Sequence, residues 1–119
     1  MTTAELMRRL IDACQSCALV ASYAIDAIDE DTLSVRVFLL DESFINAFYN
    51  LATDKTAFAW IHGDRRVYGK DNAKMGWHAH PFENPEAHEP CQSIDFASFL
   101  REVEEHYRAS QQPETEETV

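Results

Sequence analysis

Glycine is scarce here: Gly63, Gly69 and Gly76 are the whole supply in 119 residues. The chain contains no G-x-G-x-x-G and no G-x-x-x-x-G-K-[ST] stretch, which excludes the usual glycine-rich cradles for a nucleotide phosphate. It also lacks a Gly-x-Ser-x-Gly elbow, so a hydrolase built on that turn is excluded. No run approaches the ~20 apolar residues of a membrane span, and Met1–Arg9 carries no signal-peptide pattern. The expectation is a cytoplasmic protein without membrane contact. The three cysteines, Cys14, Cys17 and Cys91, are an odd set without a secretory signal, which favours free thiols over a disulfide framework. Basic residues are few as well, 10 against 21 acidic, for a net charge of -11. Phosphate affinity depends on Lys and Arg neutralising backbone charge, so wide nucleic-acid wrapping is excluded.

What is present suffices for one domain. Hydrophobic residues make up 45% and aromatics 11%. A chain of this length typically buries roughly 65% of its unfolded surface, enough for a core without metal or disulfide staples. Leu6, Leu10, Ala13, Cys14 and Cys17 recur at helical spacing behind Thr2 and Thr3 and predict a helix over about 3–16. Five short runs follow: 17–28, 33–40, 44–49, 56–62 and 65–69. Their connections of 2–6 residues predict an antiparallel meander. Leu33, Val35, Val37 and Leu39 alternate with Ser34, Arg36 and Phe38, so one face of that strand is apolar. Lys70–Pro90 then holds three of the four prolines and three of the five histidines, and is expected to be an irregular His/Pro-rich loop. Ser93 is the expected cap of a final helix with the stripe Phe96, Phe99, Leu100, Val103 and Tyr107, while Glu102–Glu105 faces water. The predicted fold is a single α+β domain over 1–109. It comprises an N-terminal helix, a twisted antiparallel sheet of about five strands, the His-rich loop and a C-terminal helix on the sheet. A disordered acidic tail over 110–119 follows. The apolar helix faces around Leu6 and Phe99 also suit pairing with another chain, so a homodimer is expected as one assembly.

The loop gathers the residues with chemistry. An imidazole both takes and donates protons near neutral pH, as hydrolysis or RNA transesterification requires. His78 and His80 are the candidate acid–base pair, Asp71 their orienting group and Arg66 the phosphate clamp. Arg65, Tyr68, Lys70, Asn72, Lys74 and Trp77 are candidate substrate contacts. No cofactor is needed for that chemistry. An alternative set, His78, His80, His88 and Cys91, has donors suited to zinc, though its spacing matches no ribbon or finger pattern. A third account gives these residues structural work alone, with ring N–H bonds holding the loop and Trp77 and Phe82 plugging it into the core. Cys14-x-x-Cys17 falls at the end of an amphipathic helix and reads as two buried core thiols. His62 and His106 read as surface or cap residues.

The strand end Phe48-Tyr49-Asn50, the stretch Arg66-x-Tyr68-Gly-x-Asp71-Asn72 and the segment His78-x-His80-Pro81 before a terminal helix together resemble the TumE-like family, small toxin components of toxin–antitoxin pairs. The likeness spans about residues 17–108. It implies a helix-turn-helix antitoxin as partner, with a ribonuclease-like role as an inference. After Asn72 the chain reads Ala-Lys-Met-Gly-Trp-His instead of a Pro/His-rich stretch, with no basic residue between the two histidines. The charge pattern adds to this picture. Between Lys55 and Lys74 five basic residues stand against two acids, a local balance of +3, while the rest of the chain carries -14. Any RNA contact belongs on that local patch.

Overall fold

Leu33, Val35, Val37 and Leu39 are buried and Arg36 is exposed, so the alternation in the sequence becomes one inward and one outward sheet face. The computed structural model describes residues 1–74 and 76–111. Helix α1 (Thr3–Gln15) comes first, followed by strands β1 (Val20–Ile28), β2 (Thr32–Leu39), β3 (Phe44–Asn50), β4 (Lys55–His62) and β5 (Arg65–Asp71). Two short strands, β6 (His78–His80) and β7 (Glu89–Pro90), precede helix α2 (Phe96–Gln111). All seven strands pair antiparallel in chain order, giving an open meander.

The α+β class and the order of elements agree with the sequence reading, but the sheet has seven strands instead of about five. The difference lies in the His/Pro-rich stretch. Proline cannot donate to a ladder, yet an edge position needs no second donor. Pro90 sits on such an edge strand, opposite His78, and Pro81 directly follows β6. The expected cap also shifts. Asp95, not Ser93, accepts the Ser98 backbone N–H at 2.8 Å, and that bond holds its carboxyl below the usual carboxylate range. Helix α2 runs through Ser110 and Gln111, where the tail was expected to begin; the remainder of that tail, 112–119, lies outside the described residues.

Helices α1 and α2 cover the same sheet face. Met7, Leu10 and Cys14 of α1 and Phe96, Phe99, Leu100 and Val103 of α2 are buried there. Phe58 of β4 centres this core, with ring centroids 5.6 Å from Tyr49, 5.6 Å from Phe96 and 5.4 Å from Phe99. The buried Trp60 indole donates to Ser43 Oγ at 2.9 Å, which satisfies its polar edge. Cys14 and Cys17 are buried, and burial pushes the Cys14 thiol up to about 11, so neither is a poised thiolate. Cover runs out at β1. Tyr23, Ile25 and Ile28 pair with the buried Val37, Val35 and Leu33 and share their face, yet all three are exposed. Among the described residues no helix is long and apolar enough to cross a membrane.

Phe99 packs against both Phe58 and Tyr68, so Phe99→Ala leaves a cavity between α2 and the sheet. The expected loss is ~3–5 kcal/mol of unfolding free energy. Urea denaturation followed by circular dichroism checks it; a loss below about 1 kcal/mol would contradict a core centred on Phe58 and Phe99.

Candidate functional site

Strand β5 decides which side chains meet. Successive strand residues point to opposite faces, and Tyr68 and Lys70 both face α2. The Tyr68 hydroxyl donates to Glu102 Oε1 at 2.5 Å, and Lys70 Nζ lies 2.9 Å from the same oxygen. Burial, aided by Glu102, holds the Tyr68 phenol well above its ordinary range. Gly69 and Asp71 therefore face the other way. There β6 lies alongside, with Gly69 opposite His80 and Asp71 opposite His78. A bulge in β5, where Trp60 pairs with Tyr68 but Ile61 with Arg66, brings Arg66 onto this second face as well. A Cβ on Gly69 would sit 3.2 Å from Arg66 Cδ and 3.0 Å from the Phe58 carbonyl oxygen, so the Arg66 stem lies against the bare strand.

One carboxylate holds two imidazoles on this face. Asp71 Oδ1 is 3.2 Å from His78 Nε2, and Oδ2 is 3.1 Å from His80 Nε2. The Ala73 backbone N–H also donates to Oδ1 at 3.0 Å, which fixes the carboxylate. His78 Nδ1 lies 3.1 Å from the Gly76 carbonyl oxygen. His80 is only 2% exposed. Its burial holds the imidazole below the usual histidine range; Arg66 and His88 act in the same direction and the Asp71 hydrogen bond opposes them. The neutral ring donates Nε2–H to Asp71, which leaves the Nδ1 lone pair free. That Nδ1 is buried and has no hydrogen-bond partner, an arrangement that costs about 1–3 kcal/mol when nothing occupies the position.

His88 completes the cluster. The three rings lie 4.6 Å (His80–His88), 5.1 Å (His78–His80) and 5.1 Å (His78–His88) apart by centroid, and one nitrogen of each is within 4.8 Å of the others. They line a pocket of about 480 Å³ together with Arg66, Asp71, Lys74 and Trp77. Arg66 also donates to the Pro85 carbonyl at 3.3 Å, tying the 81–88 segment over the site. A larger cleft of about 700 Å³ lies beside α1 and α2 and is lined chiefly by apolar groups.

Of the sequence-predicted residues, the fold brings together Asp71, His78, His80, Arg66, Lys74 and Trp77. Tyr68 and Lys70 do not join them, because strand alternation sends both to α2. Asn72 instead staples the β3–β4 turn: Oδ1 accepts the Thr56 N–H at 2.8 Å and Nδ2 donates to the Asp54 carbonyl at 2.7 Å. Arg65 is exposed at the far end of β5, about 20 Å of strand from Asp71. Cys91 stands outside the three-histidine group, and its backbone N–H donates to the Trp77 carbonyl at 3.1 Å. Two residues depart from the sequence expectation. Glu102 carries the Tyr68–Lys70 contact instead of facing water, and His106 stacks on Phe82 at 4.9 Å and meets Tyr68 at 4.8 Å. The spacing of Glu102 from Phe99, one helical turn along the stripe, was the available signal.

The His80 environment has a pH consequence. Its folded pKa lies below the unfolded value of about 6.5, so the unfolded state binds the proton first. Stability contributed by neutral His80 is therefore present above pH ~6.5 and is lost as pH falls from there through the folded pKa. Ring-proton NMR should show His80 titrating below the unfolded histidine value of about 6.5. His80→Gln should flatten the acid side of the stability curve; an unchanged slope would assign that slope to other groups.

Compared with protein-family models, with curated proteins and with solved structures, the chain gives no match, so the site rests on its own residues and geometry.

Proposed function

We propose that this protein is the toxin-like member of a toxin–antitoxin pair and that it acts on an RNA phosphodiester in the Asp71–His78–His80 pocket. One observation carries the reading: a single carboxylate grips two imidazoles in a pocket that also receives the cations Arg66 and Lys74. Cleavage by a neighbouring hydroxyl needs a base for the attacking O–H, an acid for the leaving oxygen and positive charge beside the phosphoryl oxygens. His78, the less buried ring of the pair, is the proton carrier: its Nδ1, released from the Gly76 carbonyl, takes the proton of the attacking hydroxyl and returns it to the leaving oxygen. Asp71 orients both rings through its two carboxylate oxygens. His80 buttresses Asp71 from the buried side. Arg66 and Lys74 hold the phosphate, and Trp77 offers a half-buried aromatic edge to a base. The partner in this reading is the helix-turn-helix antitoxin that the TumE-like resemblance implies, and the site of action is the cytoplasm.

The test is expression from an inducible promoter in a bacterium without the partner gene, together with cleavage of a labelled RNA by purified protein. Wild type should arrest growth. His78→Ala should lower cleavage by about 10²–10⁴-fold, as for loss of a proton-transfer group, and restore growth. Arg66→Ala should weaken RNA binding at low salt. Equal growth of wild type and His78→Ala, with no RNA cleaved by either, overturns the proposal.

A further inference from the structure

We infer that His78, His80 and His88 form a site for one divalent transition-metal ion of the zinc or cobalt class. Three features support it independently of any activity. The first is proximity, with one nitrogen of each ring within 4.8 Å of the other two. Nitrogens sharing a tetrahedral ion lie about 3.4 Å apart, given bonds of ~2.1 Å. Exposed His88 has the freedom to close that gap, and His78 joins by exchanging its contact to the Gly76 carbonyl. The second feature is the buried, unpartnered Nδ1 of His80, a lone pair already stripped of water. The third is Asp71, which takes the opposite nitrogen of that ring and so fixes the tautomer that keeps the Nδ1 lone pair available. A carboxylate behind a ligating histidine is the usual second support of such centres.

The donor chemistry selects the ion. An all-imidazole set suits Zn²⁺, Co²⁺, Ni²⁺ or Cu²⁺ and offers none of the oxygen ligands that Ca²⁺ and Mg²⁺ require. Cys91 takes no part, so the site is His₃ and not the His₃Cys set that the sequence alone suggests. Three protein ligands leave a fourth position open, as in catalytic centres. Arg66 and Lys74 line the same pocket and oppose a bare dication, but they favour one that carries an anion in that position. The ion takes the His78 Nδ1 that the phosphodiester reading gives to a substrate hydroxyl, so a metal-loaded pocket holds an anion without His78 as proton carrier; metal binding itself does not rest on that reading.

The experiment uses the untagged full chain, stripped with chelator, and titrates CoCl₂ by visible absorption and ZnCl₂ by calorimetry. One ion per chain is expected, with the intense visible bands of tetrahedral Co²⁺. His88→Ala, chosen because His88 is exposed and its loss spares the core, should weaken binding by about tenfold or more, and Asp71→Asn by roughly 10–100-fold. Absence of saturable binding overturns the inference. So does binding that His88→Ala leaves unchanged, particularly with thiolate charge-transfer bands pointing to Cys14 and Cys17. RNA cleavage assayed in parallel separates the two proposals. Metal binding without cleavage removes only the phosphodiester reading. Cleavage that persists in excess chelator, with no Co²⁺ bound, removes only the metal.

Discussion

A single sheet has two faces and this chain has helices for one of them. That constraint sorts every strand residue into a core set and a second-face set with period two. Along β2 it gives buried Leu33, Val35, Val37 and Leu39 against outward Ser34, Arg36 and Phe38. Along β5 the same rule has chemical consequences. Tyr68 and Lys70 turn to α2 and meet Glu102, while Asp71 turns to the uncovered face and meets two histidines. The pocket exists because β6 is added on that side and the 81–88 segment is tied back over it by Arg66. The helix core and the His pocket are therefore two outcomes of one alternation, with the sheet as the wall between them.

Arg66 shows how narrowly this sorting is set. It is five residues from Asp71, an odd separation, so an unbroken strand would place the two on opposite faces. The bulge at Val67 adds one residue to β5 and reverses the parity, bringing Arg66 to the Asp71 side. Gly69 then allows the Arg66 stem to lie against the bare β5 backbone, where a Cβ would crowd both Arg66 Cδ and the Phe58 carbonyl. A cation in the pocket thus depends on a local irregularity in the ladder and on one missing side chain.

These features mark the line between what was legible in the sequence and what was not. The first five strands and both helices were readable because each carries its own periodicity and turn residues; Gly63 and Asp64, both at positive φ, close the β4–β5 hairpin as their type predicts. β6 and β7 span three and two residues beside prolines, too short to show a period, and they form only because β5 presents an open edge. His78, His80 and Asp71 were found together because strand pairing happens to join neighbours in the chain. Tyr68, Lys70 and Asn72 were misplaced for the converse reason. Proximity in sequence suggests proximity in space, whereas alternation and the Asn72 staple send them elsewhere. The pairing of Glu102 with Tyr68 and Lys70 could not be read without knowing which sheet face α2 covers.

Charge follows the same sorting. The stretch Lys55–Lys74 carries a local balance of +3 in sequence, but the fold disperses it. Lys70 is neutralised by Glu102 on the helix side, Lys55 lies over the Phe48 ring at 5.7 Å, and Arg65 is held at the hairpin. Arg66 and Lys74 remain at the pocket, facing one carboxylate in a chain of net charge -11. Two cations do not hold a polyanion against that background, because each neutralised phosphate adds only one step to the salt dependence of binding. Affinity for any phosphate ligand must therefore come from short-range contacts inside the pocket, where the buried His80 and the Asp71 clamp are already in place. The acidity of the chain and the cations of the pocket are then compatible: the first disfavours broad contact with a polyanion, and the second offer positive charge at one anion-sized position.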